Sequence, residues 1–113
     1  VYLLTSNRTA GTAEILVLAS MANSNFTKIG STTAGGFPSA LDRKLPNGWK
    51  FSLSNEVYED LKGINYEQVG IPADFPFEYS KEKDKFLSQL AYGLKKKKDQ
   101  AIELVIELEK KKH

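Results

Sequence analysis

The 113-residue chain contains no cysteine, and its single histidine is the last residue, His113. Disulfides, thiolate nucleophiles and cysteine-held metals are therefore excluded, while the redox compartment stays open. The acidic residues have no His or Cys partners with which to form a metal site, so neither a metal nor any other cofactor is expected. A Ser-His-Asp triad cannot be assembled from these residues alone. Long apolar runs are also missing. The apolar stretch 13–19 falls well short of the roughly 20 residues that cross a bilayer. No basic segment precedes Val1-Tyr2-Leu3-Leu4, so the pattern of a signal peptide is absent. Sixteen basic against fourteen acidic residues leave a net charge of +2, too little to draw the chain to nucleic acid or membrane. No nucleic-acid partner is expected.

What is present suffices for one domain. The spacing divides it into a core over residues 1–80 and a helical segment over 81–113. The first part carries six basic and eight acidic residues, the second ten and six. A chain that starts inside a strand-like segment reads as a piece of something longer, so an upstream part of the same protein is an expected partner. Tyr2-Leu3-Leu4 is a β-type run closed by the turn formers Thr5-Ser6-Asn7. Residues 13–22 read as a helix, polar only at Glu14 and Ser20. Such a helix needs cover on all sides. Phe26 to Gly30 reads as the next strand, returning beside the first, and the three elements form an α/β unit.

Residues 31–39 form a loop whose paired glycines, Gly35 and Gly36, allow a close backbone approach. A hairpin follows, with Leu41, Arg43 and Leu45 alternating, a turn at Pro46-Asn47-Gly48, and Trp49, Phe51 and Leu53 alternating on the way back. Glu56 to Glu67 reads as loop, Gly70 to Asp74 as a rigid turn, and Phe75-Pro76-Phe77 as extended. Ser80 is placed as the N-cap of a helix over 81–91 that Gly93 breaks, and a second amphipathic helix spans 95–112. Lys95 to Lys98 reads as a solvated run, and Asp74 as a brace for its own turn. Trp49, Phe51, Phe75 and Phe77 are expected to make core and hairpin contacts.

Chemistry points to the entry of the first helix. A helix entered through a tight turn presents free N–H groups and a partial positive charge, so the Gly11 and Thr12 amides are candidates to hold an anion or oxyanion. Glu14, three residues after Gly11, has the spacing of the second half of a capping box.

Four blocks in order carry a resemblance: Leu4-Thr5-Ser6-Asn7-Arg8-Thr9-Ala10-Gly11-Thr12-Ala13-Glu14-Ile15, Ile29-Gly30-Ser31-Thr32-Thr33-Ala34-Gly35-Gly36, Leu45-Pro46-Asn47-Gly48-Trp49 and Gly70-Ile71-Pro72-Ala73-Asp74. Together they are similar to the tail-specific, or C-terminal processing, serine peptidases over residues 1–79. The resemblance implies a ClpP/crotonase-like α/β mixed sheet with flanking helices, incomplete in this chain. It also implies an envelope, periplasmic or secreted setting. Thr-Ala-Gly and Thr-Ala-Gly-Gly look more like the tricorn-like branch and the interphotoreceptor retinoid-binding protein branch.

Two departures stand against catalysis. The family's nucleophilic Ser falls at Gly11, which has no side chain to attack with. The Lys that activates that Ser in the processing branch falls at Gly36. Thr12 is no replacement, because the next residue on a helix projects about 100° away. The expectation is thus a peptidase homologue with a vacated nucleophile position at Gly11. It would bind extended peptides or protein C-termini at the Gly11 and Thr12 amides, with Gly35 and Gly36 lining the substrate. The alternatives are an active serine endopeptidase whose Ser has been replaced, and a carrier of retinoid- or fatty-acid-like apolar ligands. Homo-oligomers are a further expectation.

Overall fold

The computed structural model describes residues 1–37, 40–78, 83–96 and 98–112. Strand β1 (Tyr2–Thr5) leads through a loop into helix α1 (Thr12–Ser20), and β2 (Thr27–Gly30) returns parallel to β1, with Tyr2 opposite Thr27 and Thr5 opposite Gly30. Between β2 and the end of the sheet's chain path, β3 (Ala40–Lys44) and β4 (Lys50–Ser54) form a separate antiparallel hairpin around the expected turn. A two-residue strand, β5 (Phe75–Pro76), completes the sheet on the far side of β2, giving the order β1-β2-β5. The Pro76 ring removes a ladder donor, which suits an edge strand and keeps β5 short.

The core is small. Val17, Phe37 and Ile71 are buried together, with Ile15, Leu18, Met21, Tyr58 and Tyr66 packed around them, and Phe37 stacks on Tyr58 with ring centroids 5.4 Å apart. Within this chain helix α1 is not covered on all sides: Leu16 is 61% exposed, whereas the polar residues Glu14 and Ser20 are buried. Burial follows hydrogen-bond satisfaction here, since Ser20 Oγ donates to Val17 O at 2.6 Å and Glu14 finds backbone donors. The aromatic expectation is corrected. Trp49 is 74% exposed and Phe51 is exposed too, because the hairpin lies off the sheet and no layer among the described residues covers it; Phe75, on the edge strand β5, is exposed as well.

The C-terminal helices differ from their expected bounds. Helix α2 (Lys83–Lys96) runs through Gly93, and α3 (Gln100–Lys112) starts five residues later than Lys95. Glycine inside a helix costs only about 1 kcal/mol, and this one leaves room for the backbone just past the helix end: an added β-carbon would stand 2.7 Å from Lys98 O, while Lys98 N–H donates to Gly93 O at 2.9 Å. The true punctuation is Asp99, whose Oδ1 accepts from the N–H groups of Ala101 and Ile102 as an N-cap. Helix α3 is tied to the sheet by Tyr2, whose hydroxyl donates to Glu109 Oε1 at 2.5 Å. The expected cap Ser80, the Lys97 position of the lysine run and His113 lie outside the described residues.

The expectation that Asp74 braces its own turn is corrected: its bonds tie the turn to Lys28 of β2. Its carboxylate accepts from the Lys28 N–H at 2.7 Å and pairs with the Lys28 ammonium at 2.9 Å, and its own N–H donates to Lys28 O. Partial burial pushes this carboxyl up, but the Lys28 N–H, hydrogen bond and charge outweigh it, leaving Asp74 below the ordinary aspartate value. The charged form is therefore favoured by folding. Its stabilisation is complete above the ordinary aspartate value and fades as pH falls through the lowered one. Asp74→Ala is expected to cost about 1–3 kcal/mol at neutral pH, and Asp74→Asn to flatten the acid limb of urea-midpoint measurements between pH 5 and pH 3.

Candidate functional site

Three loops meet at the carboxyl ends of β1 and β2, the end of a parallel sheet where α/β proteins hold their ligands. The first, residues 6–11, is held in shape by its own polar groups. Thr9 N–H donates to Ser6 O at 2.9 Å, Ser6 N–H to Thr9 Oγ1 at 3.0 Å, and Arg8 N–H to Ser6 Oγ at 3.2 Å. It is stitched to the loop after β2 at both ends: Ser31 N–H donates to Thr5 O, Asn7 N–H to Ser31 Oγ, and Ala34 N–H to Thr9 O. The third loop, around Gly70, joins through Thr33. Its Oγ1 accepts from Ile71 N–H at 2.7 Å while its own N–H donates to Ile71 O.

Gly11 occupies the corner where the chain enters α1. Its backbone, at φ 65° and ψ −135°, lies in a region that side-chain-bearing residues enter only under strain. A β-carbon built on it would meet nothing within 4 Å, and the same holds for Gly36. Both therefore face open space. Gly11 thus makes a strained corner between the 6–11 loop and α1, open on the side a β-carbon would take.

The four sequence-predicted site residues come together, in a different arrangement from the one expected. Gly11 N–H donates to Gly36 O at 2.7 Å, so it is occupied in this conformation. Thr12, the first residue of α1, carries the N–H that no helical carbonyl can take. The capping box is corrected outright, because the Glu14 carboxylate does not reach back to the Gly11 N–H, which donates to Gly36 O instead. Glu14 is 0% exposed, and its carboxylate reaches across to the second loop, where Oε1 accepts from Gly35 N–H at 2.7 Å and Oε2 from Gly36 N–H at 2.8 Å. The Gly35 and Gly36 amides are thus bound to the protein itself. Reading the sequence missed Glu14 as an anchor, since its partners lie 21 and 22 residues downstream. Among the described residues no group of three or more His, Asp or Glu is placed to hold a metal ion.

This sheet, its helices and its supporting loops make a small, partial α/β fold. No protein-family model and no curated protein matches the chain, but solved structures do. A candidate peptidase from Parabacteroides merdae is similar over 95% of this chain at a TM-score of 0.71 and 23% identity. Mature CPAF is similar over 80% at 0.65 and 15% identity, and the photosystem II D1 C-terminal processing protease over 79% at 0.55 and 17%. The likeness at these identities establishes the fold. The chain covers 30%, 18% and 24% of those three proteins, respectively.

Proposed function

We propose that the Gly11 corner is a nucleophile elbow without its nucleophile, and that the protein is a tail-specific-peptidase-like homologue that binds extended peptide segments there without cleaving them. The observation that carries this reading is the vacancy at Gly11: an elbow backbone with open space in the side-chain direction and no hydroxyl to fill it. Acyl transfer needs a nucleophile there. Binding needs only a donor, and the residue after the elbow supplies it in α/β hydrolases. In this protein that is Thr12. A ligand carbonyl or terminal carboxylate would accept from the Thr12 N–H at the positive end of α1. The peptide would run along the sheet edge offered by β1, adding main-chain hydrogen bonds. On the same reading the protein works in the cell envelope or outside the cell. Among the described residues no helix is long and apolar enough to cross a membrane.

Titrating the protein with a library of unstructured peptides, free and amidated at the C-terminus, tests this by fluorescence anisotropy with mass spectrometry of the same samples. Saturable binding with every peptide recovered intact is the expected result. Cleavage by the glycine form would overturn the non-cleaving role and favour the alternative of a hydrolase with an unconventional nucleophile. Equal binding of free and amidated peptides would identify a chain carbonyl, rather than a terminal carboxylate, as the ligand group.

A further inference from the structure

Gly35 and Gly36 have no side chains with which to hold themselves in place, yet all four of their backbone polar groups are engaged. Their N–H groups donate to the two oxygens of Glu14. Gly35 O accepts from Gln68 N–H at 2.7 Å, and Gly36 O accepts from Gly11 N–H at the same distance. Gly36 therefore sits between one peptide plane held by Glu14 and another that holds Gly11. Both torsions of the freest residue type are fixed from outside.

We propose that Glu14 is a positioning residue for the elbow: it fixes the Gly35–Gly36 segment, and that segment fixes the Gly11 N–H and with it the direction of the neighbouring Thr12 amide. The chemistry calls for a carboxylate. Two converging N–H donors need a side chain that offers only acceptors, and both bonds are charge-assisted. The buried charge lies in the first turn of α1, where the helix favours it. A glutamine at this position would turn an NH2 group against one of the two donors.

Amide hydrogen exchange followed by NMR, without ligand, tests the chain of contacts at its far end. In Glu14→Gln the Gly11 amide, which the Glu14 side chain does not touch, is expected to exchange at least about tenfold faster, the loss of one charge-assisted hydrogen bond. The ladder amides of β1 and β2 should keep their wild-type rates. Unchanged exchange at Gly11 would overturn the proposal, and so would an equal rise at every amide, which would mark Glu14 as a general stabiliser. Should the variant fail to fold, the wild-type protein in mild urea answers the same question. Gly11, Gly35 and Gly36 should then open as one unit below the global unfolding, and separate openings would refute the coupling. The consequence for peptide binding rests on the proposed function, but this measurement involves no peptide, so either reading can fail alone.

Discussion

Gly30→Ala is expected to leave no folded protein. Gly30 ends β2 at φ 131°, opposite Thr5 of β1, and an added β-carbon would stand 1.9 Å from the Thr5 carbonyl oxygen. Relief is blocked on both sides. Toward β1, the same Thr5 oxygen accepts from Ser31 N–H; toward β5, Gly30 O accepts from Phe77 N–H at 2.8 Å. Moving β1 away would break the parallel ladder and pull the 6–11 loop off the site. Strain at a φ that side chains rarely adopt contributes about 1–3 kcal/mol, and a backbone overlap of this depth costs more again. Together they reach a large share of a small domain's stability of about 5–15 kcal/mol. Gly48→Ala is the control. Gly48 also has positive φ, at 89°, but nothing lies within 4 Å of its added carbon, so the variant should suffer only the strain. Soluble yield and urea midpoints of the two variants decide the matter. A Gly30→Ala protein as stable as Gly48→Ala would show that the β1–β2 approach is looser than described.

Much of this fold was legible because local signals agreed with each other. The alternation of Leu41 and Arg43 against Phe51 and Leu53, with Pro46-Asn47-Gly48 between, gives the β3–β4 register, and the run Tyr2–Leu4 with its turn formers gives β1. What failed to show was decided across long sequence separations. The distance from Gly11 to Glu14 matches a local capping pattern, yet the carboxylate is taken by donors that only the fold brings near. Asp74 likewise reads as turn chemistry, while its strongest partner, Lys28, is 46 residues away. Gly93 misleads in the opposite sense. It looks like a helix breaker, but its missing side chain admits the Lys98 backbone, and Asp99 marks the boundary by capping the next helix. Aromatic content said nothing of which rings are covered: Phe37 is in the core, whereas Trp49, on the hairpin, is exposed.

Installing the two side chains that the resemblance to the processing peptidases implies, Gly11→Ser with Gly36→Lys, is expected to turn the proposed binding site into a slow hydrolase. Both β-carbons would enter open space, and the Gly11–Gly36 hydrogen bond already places the two backbones side by side. The costs differ. Gly36 is outside the positive-φ region and should accept lysine without backbone strain, whereas serine at Gly11 should cost about 1–3 kcal/mol for its φ of 65°. Glu14 already commits both carboxylate oxygens to the Gly35 and Gly36 amides, which leaves the new ammonium free to approach the new hydroxyl. The single serine variant has a hydroxyl with no base and should hydrolyse an activated ester weakly at best. Adding the lysine supplies general-base assistance, worth about 10²–10⁴-fold. An exposed lysine is mostly protonated at neutral pH, with an ordinary value near 10.4, so the gain should climb with pH up to about 9–10. Burst kinetics on a nitrophenyl ester, measured for both variants across that range, separate the outcomes. Equal rates for the single and double variants would mean that position 36 cannot serve the elbow as a base. No acyl-enzyme in either, with folding intact, would mean that Thr12 and its neighbours do not form an oxyanion site, and the peptide-binding reading would fall with it.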